Sequence, residues 1–189
     1  MSTKLSITSY RRLVTLKDGA RVLIRPMTAN DSEGLIELYA SAQPDDLRSV
    51  RDDVSDPNVV RAWADELDYS RVLPLLALAN ERTVGNATLH RRGGPYRHIG
   101  EVRIFLARDF RGRGLGTEVL NTLIELARKE GLHWLQAEVL ASQPKVVRAF
   151  ETLGFKQRCV LEDYFMLPDG QTEDIVILMM RLLERVGEF

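Results

Sequence analysis

Cysteine is nearly absent from this 189-residue chain. Cys159 alone excludes an intramolecular disulfide and, with no His/Cys cluster around it, a structural zinc site. It reads as a buried, inert thiol. Long apolar runs are missing too: no window approaches the roughly 20 apolar residues of a membrane span. The opening MSTKLSITSYRRL lacks the apolar h-region of a secretory signal, so a cytoplasmic location without a membrane partner is the expectation. Neither sign of charge dominates, because 26 Lys and Arg stand against 27 Asp and Glu. That balance, and basic residues not interleaved with stacking aromatics, argue against nucleic acid as a partner. Any anion site has to be local. Repeats and low-complexity tracts are absent, and without a Gly-Lys-Ser/Thr triplet a Walker-type phosphate loop is excluded.

What is there is enough apolar residue, 44% of the chain, to bury a core. The expected organisation is a loose leader over residues 1–12 followed by one domain over 13–189. LVTLKDGARVLIRP predicts a hairpin turned at Asp18-Gly19. NDSEGLIELYASA and DPNVVRAWADELDYS predict two helices with polar caps, and the stretch QPDDLRSVRDDVS between them is unassigned. VLPLLALAN, TVGNATLHR and HIGEVRIFLA alternate as a three-strand antiparallel meander. LGTEVLNTLIELARKEG predicts a long amphipathic helix ending at Gly131. HWLQAEVL is then a strand, PKVVRAFETLG a helix, and residues 155–183 a closing hairpin turned at Pro168-Asp169-Gly170. The fold class is α/β (α+β): a mixed, mostly antiparallel sheet of about seven strands flanked by about four helices.

One junction in this pattern carries chemistry. RDFRGRGLGTE, residues 108–118, packs three glycines and three arginines between a strand and a helix. A helix start offers unpaired N–H groups and about half a positive charge, and glycine removes the Cβ that keeps a ligand away. Arg111, Gly112, Arg113, Gly114, Leu115 and Gly116 therefore read either as an anion cradle for a pyrophosphate or as a glycine-rich turn that lets helix and strand pack closely. A Rossmann site is disfavoured because the glycines follow an antiparallel meander rather than the first strand of a βαβ unit.

Arg111-x-x-Gly114-x-Gly116, after EVRIFLA and before a long helix, resembles the acetyl-CoA signature of the GNAT superfamily of N-acetyltransferases. VLASQPKVVRAFETLGF is similar to the family's following helix with its Leu153-Gly154-Phe155 ending, and the shared element order covers roughly residues 21–183. The resemblance implies central strands that splay apart. It also implies acetyl-CoA as co-substrate, held by Ile104, Phe105 and Leu106 on the strand edge, Arg111 through Thr117 in the loop, and Gln143 and Arg148 beside the next helix. No metal is implied, and the assembly is a monomer or homodimer. The acceptor is a primary amine: a protein lysine by similarity to bacterial protein-lysine acetyltransferases, or a small amine or protein N-terminus. A non-catalytic acyl-CoA-binding protein is the reading from another class.

A lysine-like amine is neutral in only about one part in 2,500 at pH 7, a cost of about 4.6 kcal/mol, so the reaction needs a base. Glu101 matches a position where some family members carry a catalytic glutamate; the alternative is a carboxylate paired with Arg103 or Arg97. His98, His90 and Glu138 are weaker candidates. A strand-edge N–H around Ile104 or Phe105 suits the developing oxyanion. Phe150 stands where many relatives have a tyrosine that protonates the thiolate, and Gln143 where asparagine is common. Tyr164 reads as a core tyrosine or a substitute acid, with water as the other proton source. Lys145 and Arg148 read as phosphate contacts or as solvated helix charges.

Overall fold

The computed structural model describes residues 7–183. Residues 1–6, half of the expected leader, lie outside the described residues; of the remainder, Ile7–Ser9 form one 3-10 turn and Arg12 already starts a strand. Among the described residues, eight strands hydrogen-bond in the order β1-β2-β3-β4-β5-β6-β8-β7, mostly antiparallel, with five α-helices. Contacts divide the chain into two compact units. The first holds the residues up to Thr88 and Ile104–Leu120, the second Leu89–Arg103 and the residues from Asn121 on.

In the first unit, β1 (Arg12–Thr15) and β2 (Arg21–Pro26) pair antiparallel as the expected hairpin. Gly19 takes φ +86° at its turn, where a side chain is disfavoured. β2 then pairs with β3 (Val72–Ala79), whose near-continuous burial matches its apolar run. Between these two strands lie α1 (Ser32–Ala40), α2 (Pro44–Leu47) and α3 (Pro57–Asp65). α1 buries Leu35, Leu38 and Tyr39; α3 buries Val60 and Ala64 and is capped by Asp56, which accepts from the Asn58 N–H at 2.9 Å. The unassigned connection thus contains one helical turn, α2.

Entry into α1 is fixed by Asp31. Its carboxylate accepts from both Arg25 Nη1 at 2.7 Å and the Thr28 backbone N–H at 2.7 Å. Burial pushes this carboxyl up, but the bonds from Arg25 and Thr28 outweigh it and hold it below its ordinary value.

β4 (Arg82–Arg91) and β5 (Ile99–Leu106) complete the meander. Ala107 N donates to Val84 O at one end of the pair and Arg92 N to Ile99 O at the other. The two bonds share one register, which sets Asn86 opposite Phe105 and His90 opposite Glu101. α4 (Leu115–Lys129) buries Leu115, Val119, Leu120, Leu123, Ile124 and Ala127, the predicted stripe, and Gly131 ends it at φ +78°.

In the second unit, β6 (Trp134–Leu140) pairs antiparallel with β8 (Thr172–Arg181) along its whole length. β8 pairs in turn with β7 (Lys156–Met166), the sheet edge. α5 (Pro144–Thr152) precedes β7. β5 and β6 run parallel and pair only over Ile99–Glu101 and Trp134–Gln136. That early end to the pairing is the divergence of central strands implied by the resemblance.

Two side chains depart from expectation because β7 is an edge. Cys159 is exposed rather than buried. Tyr164 is 62% exposed rather than packed in the core. β7 shifts register twice against β8, and Asp163 sits at one shift with φ +51°; such irregularities protect an edge from further pairing.

Asp31→Asn removes a carboxylate that is ionised in the folded state below its usual range. Stability is expected to fall by about 1–3 kcal/mol at neutral pH. The wild-type protein loses this contribution as pH falls below roughly 4, so the two denaturation midpoints converge there. Urea titrations at pH 7 and pH 3 check both statements.

Candidate active site

The strand-to-helix junction of the first unit is built as an open turn. After Arg108–Phe110 the chain passes through Gly112 at φ +72° and Gly114 at φ +93° into α4, conformations that disfavour any L side chain. A Cβ on Gly112 would meet nothing within 4 Å, and one on Gly114 nothing nearer than Lys17 Cε at 3.9 Å. Gly116 differs: its Cβ would lie 3.4 Å from Leu106 Cδ1 and 3.9 Å from Ile104 Cδ1. Both sequence readings of the glycines are therefore present, open space at Gly112 and Gly114 and close helix–strand packing at Gly116. The helical ladder begins with Glu118 N donating to Gly114 O, so the amides of Leu115, Gly116 and Thr117 open at the helix start. Leu115 is fully buried and Thr117 exposed.

The two loop arginines are each tied to a carboxylate and a backbone carbonyl. Arg111 Nε donates to Leu106 O at 3.0 Å and Nη1 to the Asp46 carboxylate. Arg113 Nη1 donates to Asp109 O at 3.1 Å and Nε to Asp18, with its guanidinium 4.3 Å from the Phe110 ring centroid. Asp18 is held below its usual range by its hydrogen bond from Arg113. Burial pushes Asp46 up, but Arg111 and Arg108 bring it below the ordinary value. A cavity of about 290 Å³ lies beside this group, lined by Leu38, Ala42 and Phe105 and by Asp46, Arg108 and Arg111. Phe105 also packs on Tyr39 at a centroid distance of 4.7 Å.

In the second unit, Glu101 is buried at 7% exposure on β5. Arg103 Nε donates to Oε1 at 2.8 Å, and Arg92 Nη2 lies 3.7 Å from Oε2. The expected pairing with Arg103 holds. Arg97 turns away to Gly94 O at 3.2 Å, and Arg92 takes the place assigned to it, because the β4–β5 register brings the end of β4 beside Glu101. Ile104, Phe105 and Leu106 follow on the same strand, Ile104 and Leu106 half-buried and Phe105 buried.

The other candidates are placed as follows. His90 and His98 are half-buried, and His98 packs on His133 at 5.5 Å between centroids. Glu138 accepts from Gln136 Nε2 at 2.9 Å. Gln143 is the N-cap residue of α5, and Lys145 and Arg148 are exposed on that helix. Phe150 is a core residue, 3% exposed and edge-on to Phe155 at 5.1 Å. Sequence reasoning missed Asp46, Arg92 and the cavity; Asp46 and Arg92 pair with partners that only the fold brings near.

A model of the acetyltransferase (GNAT) family matches residues 33–155. The chain belongs to the GNAT acetyltransferase family. Relatives of this chain include the [ribosomal protein bS18]-alanine N-acetyltransferase of Escherichia coli K12, 33% identical over 72 residues, 38% of this chain and 48% of that protein. The L-methionine sulfoximine/L-methionine sulfone acetyltransferase of Pseudomonas paraeruginosa is 34% identical over 61 residues, 32% of this chain and 36% of that protein. The chain thus spans about half the length of the first and about a third of the second. Among solved structures, the GNAT domain of S. lividans PAT aligns with TM-score 0.75 at 22% identity, covering 91% of this chain and 97% of that one. The structure of yncA from Salmonella typhimurium with its cofactor acetyl-CoA aligns with TM-score 0.74 at 22% identity, covering 89% of this chain and 98% of that one. At these identities the structural likeness establishes the GNAT fold.

Gly114→Glu is expected to reduce coenzyme A affinity by at least about a hundredfold, since it sets bulk and negative charge at the helix start and strains the positive-φ turn. Calorimetry with coenzyme A, beside a melting curve showing a folded variant, checks it.

Proposed function

We propose that this GNAT enzyme transfers the acetyl group of acetyl-CoA to a primary amine by direct attack, with Glu101 as general base. The observation that carries the reading is the open glycine turn at Gly112 and Gly114, where a Cβ meets no atom closer than 3.9 Å. Acetyl-CoA supplies an acyl group as a thioester when bound. The amides of Gly112 to Thr117 and the positive end of α4 hold its diphosphate. The β5 edge beyond Glu101 offers backbone groups to the pantetheine amides, and the N–H of Ile104 or Phe105 donates to the acyl oxygen as charge builds on it.

Glu101 takes a proton from the arriving ammonium, directly or through a water, and the neutral amine so formed attacks the thioester carbonyl carbon. Its carboxylate also places negative charge where the ammonium arrives. Phe150 has no proton to give, and its packing on Phe155 assigns it to the core. The C–S bond breaks as the tetrahedral intermediate collapses, and water carries the second N–H proton to the departing thiolate, which needs less help because a thiol ionises near pH 8.5.

The acceptor is a lysine side chain on the similarity to protein-lysine acetyltransferases. The bS18-alanine relatives favour a second reading, an N-terminal α-amine. The two differ in their demand for a base, since an α-amine ionises near pH 8 and a lysine near pH 10.4. With a lysine peptide kcat/KM keeps rising to about pH 10; with an N-terminal alanine peptide it levels off near pH 8.

Glu101→Gln is expected to lower kcat at pH 7 by roughly a hundredfold or more while leaving acetyl-CoA affinity within about twofold. Thiol release across a panel of amines and peptides, set beside calorimetry, separates the two effects. Coenzyme binding without thiol release from any amine favours the non-catalytic acyl-CoA binder instead.

A further inference from the structure

α2 is a four-residue turn, too short to hold its shape by its own hydrogen bonds. Together with the last turn of α1 it walls the cavity of about 290 Å³. The Asp46 side chain within it is only 7% exposed and is tied on several sides. It accepts from Arg108 Nε at 3.2 Å and Nη2 at 3.3 Å, from Arg111 Nη1, and from the Gln43 backbone N–H at 3.3 Å. Four bonds fill the acceptor capacity of a carboxylate. Arg111 is tied on its other side to β5, through Nε to Leu106 O at 3.0 Å, and its guanidinium lies 5.8 Å from the Phe105 ring centroid. Its own backbone opens the glycine turn.

We propose that Asp46 is a positioning residue that couples the α1–α3 connection to the glycine turn. Occupancy of the turn passes through Arg111 to α2 and sets the shape of the cavity beside α1. The inference rests on reading that turn as the diphosphate site. A guanidinium presents five donors in one rigid plane, so Arg111 can face an added anion while its Nε and Nη1 keep Leu106 and Asp46. An anion at the turn then orders Arg111, and Arg111 orders α2 with it. Arg108 shares the load on Asp46, so the carboxylate stays paired through any adjustment of Arg111. In this scheme the cavity beside α1 takes its final shape only when coenzyme is in place.

Hydrogen exchange with coenzyme A as the probe tests this without any acceptor. In the wild-type protein coenzyme A slows exchange by roughly tenfold or more both in residues 111–117 and in residues 43–50. Asp46→Asn keeps the first protection and loses the second, and its coenzyme A dissociation constant rises roughly three- to tenfold. Asp46→Glu restores both. Arg108→Gln leaves Asp46 its bonds from Arg111 and Gln43 and keeps both protections, whereas Arg111→Lys, which gives up the rigid two-sided fork, loses protection of 43–50 even if Asp46→Asn does not fold. Protection of 111–117 with none at 43–50 in the wild type, or an unchanged pattern in the Asp46 and Arg111 variants, overturns the coupling while leaving the coenzyme reading intact. Protection at neither segment overturns both.

Discussion

Between the last residue of β5 and the first turn of α4, the backbone adopts two left-handed conformations, φ +72° at Gly112 and φ +93° at Gly114. Side chains at these positions would raise the energy of the turn and fill the space in front of the helix start. The geometry is held from both flanks by arginines that belong to the turn itself, Arg111 on Asp46 and Leu106, Arg113 on Asp18 and Asp109. What remains at the centre is backbone N–H and the positive end of a 15-residue helix. The proposed coenzyme site starts from that opening. The arginines act as struts in this arrangement, and their charge still adds to the field an anion meets.

Glu101 stands in a different setting. It is buried and ion-paired to arginines on its own strand and beyond β4, and it marks the last pairing of β5 with β6. The carboxylate there has structural partners, and the proposal gives it a chemical use as well. The ion pairs fix its orientation, and the end of the parallel ladder leaves the following residues of β5 to other partners. The proposed transfer asks for a base and an amide donor, roles it gives to Glu101 and to Ile104 or Phe105.

Much of this was legible in the chain because it is local. Asp18-Gly19 between alternating runs forces a hairpin, and Leu115, Val119, Leu123 and Ala127 repeat at the helical period, so β1, β2 and α4 follow from neighbours alone. The glycine turn was legible for the same reason. Features decided by distant residues were not. Alternation along residues 156–166 cannot tell an edge strand from a central one, so Cys159 and Tyr164 looked buried. The order β6-β8-β7 depends on which strand of the hairpin reaches β6 first. Asp46 takes its meaning from Arg108 and Arg111, 62 and 65 residues away, and no short window contains that pairing. Arg92 displaced Arg97 beside Glu101 because the cross-strand register, not proximity in sequence, brings a guanidinium there.

The central claim is that backbone amides at the start of α4 grip a diphosphate. The most direct measurement compares the calorimetric affinity of coenzyme A with that of pantetheine, which keeps the thiol arm and lacks the diphosphate. The account predicts that pantetheine binds at least about a hundredfold more weakly, the size of two charge-assisted hydrogen bonds, and that rising salt narrows the gap. Equal affinities for the two compounds would contradict it.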